Sequence, residues 1–75
     1  MEENRKNILV FATDIKTKME KKQITTPLND LAAIEEWNID QKDVDCVLRI
    51  VSQSITAEEV IKLINELGFN CAELP

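Results

Sequence analysis

Histidine and tyrosine are absent from these 75 residues, and glycine occurs once. Without histidine the chain lacks the commonest general base near neutral pH and the commonest nitrogen ligand for metals. A single glycine leaves no glycine-rich loop to cradle a phosphate. Cysteine is limited to Cys46 and Cys71, with no CxxC, so neither a redox dithiol nor a zinc knuckle is written here. No stretch approaches the roughly 18 apolar residues of a membrane-spanning helix. The amino terminus has no signal-peptide core, so the expected location is cytoplasmic. In a reducing compartment two dispersed cysteines read as small buried apolar residues. Basic residues are also short, nine against fourteen acidic ones for a net charge of −5. That excludes a nucleic-acid binder, which needs a basic footprint, and a binder of anionic membrane. No nucleophile is paired with a base, so no enzyme and no cofactor is expected.

What is present reads as one small domain over residues 7–75, behind a polar, frayed segment 1–6 (MEENRK). Residues 7–13 (NILVFAT) form an apolar strand that Asp14 ends. Ile24, Leu28 and Leu31 then fall on one helix face. Thr26-Pro27 leaves that helix two starts, near Thr17 or near Thr26. Residues 35–40 alternate, with Trp37 and Ile39 on one side, and residues 45–51 alternate with Cys46, Leu48 and Ile50 together. The two make a hairpin across a turn at 41–43, whose acidic residues Asp40, Asp43 and Asp45 suit turn chemistry and lack the pattern of a calcium loop. Thr56 and Glu59 spell a capping box, Ile55 and Val60 a hydrophobic staple, and Gly68-Phe69 a helix stop around the stripe Val60, Ile64, Leu67. Residues 69–74 close the chain as a last strand.

The order β-α-β-β-α-β predicts an α+β, ferredoxin-like fold. Its four-stranded antiparallel sheet runs 4-1-3-2, with both helices on one face. The expected core is Ile8, Val10, Ile24, Leu28, Leu31, Ile39, Leu48, Ile50, Val60, Ile64 and Leu67. With Val10 inward, Leu9 and Phe11 point outward beside Val47 and Val51 and form an apolar patch on the outer sheet face. That patch is a candidate for self-association or a protein partner.

From Ile15 onward the chain resembles the heavy-metal-associated (HMA) domain of copper chaperones and metal-transporting ATPases. TAEEVIKLINELGFNCAEL resembles that family's second helix, turn and last strand. LAAIEEWNIDQKDVDCVLRI resembles the end of its first helix and its hairpin. The resemblance implies the fold and a loop after strand one bearing MxCxxC, whose cysteines bind Cu(I) or another soft ion. Counting back from Leu31 puts residues 15–20 (IKTKME) on those six positions, with Thr17 and Glu20 in the cysteine places. Neither is the thiolate that Cu(I) prefers, so no metal ligand is assigned there and metal binding is not expected. Cys46 and Cys71, on strands separated by strand one, would lie roughly 9–10 Å apart, too far for a disulfide or a shared ion.

What remains as chemistry is a cluster of bases, Lys16, Lys18, Lys21 and Lys22, in a mainly acidic chain. HMA domains commonly meet their partners through this end, so the resemblance implies a docking patch for an acidic protein. The rival expectation is a metal carrier that binds weakly or as a dimer, using Met19, Cys46 or Cys71 from two chains.

Overall fold

The computed structural model describes residues 7–75, and the expectation for residues 1–6 lies outside them. The elements run β1 (Asn7–Thr13), α1 (Lys18–Asn29), β2 (Ile34–Asp40), β3 (Val47–Ser52), α2 (Ala57–Glu66) and β4 (Cys71–Glu73). The sheet order β2-β3-β1-β4 is the expected ferredoxin-like order, and all its pairings are antiparallel.

The α2 helix forms for the reasons its sequence gives. Thr56 Oγ1 accepts from the Glu59 amide, and Glu59 Oε1 accepts from the Thr56 amide. At the other end Phe69 N–H donates to the Ile64 carbonyl and Gly68 N–H to the Asn65 carbonyl, with Gly68 at φ +99°. This two-bond closure needs a left-handed residue, where glycine pays no Cβ penalty. It buries Phe69 against the core and consumes residues 69 and 70, so β4 is shorter than expected.

The α1 helix starts at the earlier of its two expected positions. Pro27 lies inside its last turn. There it removes one intrahelical bond, to residue 23, and most of the helix precedes it. Leu31 lies beyond the helix and is exposed, so it drops out of the expected core.

The core lies between the helices and one sheet face, and it contains Phe11, Ile15, Ile24, Leu28, Leu48, Ile50, Val60, Ile64 and Phe69. The largest correction concerns β1. Leu9 pairs with Ile50 and Phe11 with Leu48, so β1 takes its phase from the inward residues of β3. Phe11 is fully buried and Leu9 packs against the core, whereas Ile8 is 60% exposed. Val10, opposite the exposed Arg49, is on the outer face. The expected outer patch of Leu9, Phe11, Val47 and Val51 is therefore wrong in its β1 half. Ile8 and Val10 take the place of Leu9 and Phe11 beside Val47 and Val51.

Strand β3 begins later than expected, because Cys46 has φ +43° and cannot continue an extended strand. Cys46 is buried all the same. Trp37 packs against the core, and its Nε1–H donates to Asn29 Oδ1 of α1 at 2.8 Å.

Candidate functional site

The antiparallel order brings three connections to one end of the molecule. These are residues 14–17 between β1 and α1, residues 41–46 between β2 and β3, and residues 67–70 between α2 and β4. Hydrogen bonds tie them together. Gln41 Nε2 donates to the carbonyls of Ile15 (3.2 Å) and Thr17 (2.8 Å). Asp14 accepts from the Asn70 amide and side chain, both at 2.9 Å. Thr13 N–H donates to the Asp45 carbonyl at 2.8 Å, and its Oγ1–H donates to the Cys46 carbonyl at 2.7 Å. Ile15, fully buried, anchors the loop from below.

At the centre of that loop, Thr17 and Glu20 form the N-terminal cap of α1. Thr17 Oγ1 accepts from the Glu20 amide at 3.0 Å. Glu20 Oε1 accepts from the amides of Thr17 (3.0 Å) and Lys16 (2.8 Å). The two side chains therefore satisfy donors that a helix start leaves unpaired. The backbone N–H groups of Lys16 and Thr17, with help from the Thr17 side chain, hold the Glu20 carboxyl below its ordinary range.

A pH dependence follows. A depressed folded pKa contributes stability above the unfolded value and loses it as pH falls through the folded value. Glu20→Gln keeps an acceptor and loses the charge. Its deficit in melting temperature against the native chain is expected at pH 7 and shrinks below about pH 4. A deficit that is constant with pH would show that the charge contributes nothing.

Lys16 in the loop and Lys18, Lys21 and Lys22 in the first turns of α1 are all exposed. They form one basic group beside the cap. Met19 is 70% exposed. On the outer sheet face Val47 and Val51 are half-buried. Cys46 and Cys71 are free thiols that flank β1, where Thr13 pairs with Cys71 and bonds to the Cys46 carbonyl. Burial pushes the Cys71 thiol up to about 11, so it is protonated at neutral pH and a poor soft ligand there. Among the described residues no three histidine, cysteine or acidic side chains converge to hold a metal ion. Among them, too, no helix is long and apolar enough to cross a membrane.

Sequence reasoning missed Gln41, Asn70, Thr13 and Ile15. The first three act across the fold, which local pattern does not report. The cap itself had a signal, because Thr17-x-x-Glu20 repeats the spacing of Thr56-x-x-Glu59.

No family model matches this sequence, and no curated protein matches it. Solved structures do. The chain is similar to the yeast copper transporter domain Ccc2a, solved in the apo and Cu(I)-loaded states, with TM-score 0.77 and 20% identity over 91% of this chain and 94% of that one. A second similar structure is a chain from the Atx1-Cu(I)-Ccc2a complex, with TM-score 0.78, 20% identity and the same coverage. At that identity the likeness establishes the fold.

Proposed function

We propose that this chain is a non-enzymatic, HMA-like domain that works through protein contacts and carries no metal in its loop. One observation carries the reading. The two side chains in the cysteine places of the HMA motif, Thr17 and Glu20, are hydrogen-bonded to each other's backbone as a helix cap. A hard carboxylate and a hydroxyl are poor ligands for Cu(I), and the loop's one sulfur belongs to exposed Met19. The end that would carry metal instead presents Lys16, Lys18, Lys21 and Lys22. Such a patch steers an acidic protein surface toward it. The apolar outer face of Ile8, Val10, Val47 and Val51 is a second contact surface in this reading. That a similar chain was solved within the Atx1-Cu(I)-Ccc2a complex supports a protein as partner.

The rival, a weak or dimer-dependent heavy-metal carrier, is favoured by the Cu(I)-loaded state of the similar Ccc2a domain. One experiment separates the two. The reduced protein is titrated with Cu(I) and Zn(II) against a competing chelator and followed by NMR. The expected result is no shift at excess metal. Stoichiometric binding with shifts confined to residues 15–20, 46 and 71 would establish the carrier instead. The contact surface is checked separately: reversing the four lysines to glutamate is expected to abolish partner capture from the source cell, and unchanged capture would remove that surface.

A further inference from the structure

We propose that the loop end is self-complementary and docks, without metal, onto the same end of a second copy of this chain. This rests on the reading of that end as a contact surface and names the partner.

Charge at this end is divided between the two layers of the fold. The helix layer carries exposed Lys16, Lys18, Lys21 and Lys22. The sheet layer carries Asp40, Asp43 and Asp45 around the β2–β3 turn, all exposed, with Lys42 among them. The acids on the basic side are already engaged, Glu20 in the cap and Asp14 with Asn70. On the acidic side, Asp40 and Asp43 each commit one oxygen, Oδ1, to an amide of their own turn.

Each half also carries an exposed apolar side chain. Val44 in the turn is 90% exposed and Met19 in α1 is 70% exposed, the highest values among the large apolar residues described. The turn and the loop are tied together, because Gln41 donates to the Ile15 and Thr17 carbonyls and the Asp45 carbonyl accepts from the Thr13 amide.

A two-fold axis parallel to the sheet and across its strands turns one molecule end-on to the other. It lays the helix layer of each over the sheet layer of its partner. Lysines then meet aspartates twice, as an isologous contact requires, and Met19 and Val44 lie between the charged halves. The other end-on two-fold, along the layer normal, lays helix layer on helix layer and sheet layer on sheet layer, so the basic side of one copy never meets the acidic side of the other. The edge strand β2 carries exposed Glu36 and Asp40, so pairing it with itself brings like charges together. The loop end is thus the surface whose charge suits a second copy.

The test is sedimentation equilibrium on metal-free protein with chelator, up to about 1 mM, a concentration that reveals weak association. A reversible dimer is expected at about 0.02 M salt, dissociating toward monomer at about 0.5 M, where screening is short-ranged. Lys18→Glu/Lys22→Glu and Asp40→Lys/Asp45→Lys are each expected to weaken the dimer at least ten-fold, and their equimolar mixture to restore it. Val44→Ser, at a site too exposed to matter for folding, is expected to weaken it without changing the salt dependence. Monomer throughout would overturn the proposal. So would a dimer that ignores both charge variants and is lost with Ile8→Ser on the outer face. If the native chain is monomeric while lysine reversal still blocks partner capture, the contact-surface reading stands and self-docking alone falls. A dimer that forms only when Cu(I) is added overturns both.

Discussion

Phe11→Ala is expected to destabilise the protein by about 3–5 kcal/mol, the range for emptying an aromatic site in a closed core. A domain of this length has a total stability on the order of 5–10 kcal/mol, so the variant sits near its unfolding threshold. Phe11 is fully buried, and its cross-strand neighbour on β3 is Leu48, itself fully buried. Phe11 belongs to the buried apolar cluster between the helices and the sheet, which collapses only in part around the space left. Ile8→Ala, three residues earlier in the same strand, is expected to cost less than about 1 kcal/mol, because Ile8 is already 60% exposed. Urea unfolding checks both, read as a shift in midpoint at constant slope. The contrast between the two matters more than either value. If Ile8 proved the costlier position, the Leu9–Ile50 and Phe11–Leu48 register of β1 would be inverted.

That contrast marks where the sequence is silent. Residues 8–12 (ILVFA) are apolar without a break, and an unbroken run carries no phase. Which half faces the helices is decided by β3, where the exposed Arg49 fixes Leu48 and Ile50 as the inward pair. The phenylalanine then goes to the core, and the β-branched Ile8 and Val10 line the outer face. Where local chemistry acts within one turn of helix, the sequence was sufficient. Thr56, Glu59, Gly68 and Phe69 all stand in the roles their spacing implies. The start of α1 was ambiguous because Pro27 offered a second N-terminus. The box that settles it stands at Thr17 and Glu20, the two positions that the HMA resemblance gives to cysteines. The rest of the site depends on long-range bonds. Asp14 and Asn70 meet across 56 positions of chain and Gln41 reaches back across 26 to the Ile15 carbonyl. No local pattern specifies such pairings.

Thr17→Cys/Glu20→Cys is expected to turn this loop into a Cu(I) site, and the native chain is expected to gain no stability from the metal. The N-cap and N3 side chains stand over the same first turn, as the reciprocal bonds of Thr17 and Glu20 with each other's amides require. Two thiols there would sit at a helix N-terminus, which lowers a cysteine pKa and favours the thiolate that Cu(I) prefers. The frame that positions them is untouched: buried Ile15 below, Gln41 on the Ile15 and Thr17 carbonyls, and Asp14 on Asn70. Losing the cap is expected to cost the metal-free variant about 1–2 kcal/mol. At free Cu(I) roughly 1,000 times its dissociation constant, linkage returns about 4 kcal/mol. Thermal unfolding should therefore show the variant below the native chain without metal and above it with metal. Either single cysteine should show the loss with little of the gain. If the double variant is no more stable with Cu(I) than without, the loop lacks the shape that the HMA resemblance implies. The difference from that family would then lie in the backbone of residues 14–20 as well as in two side chains.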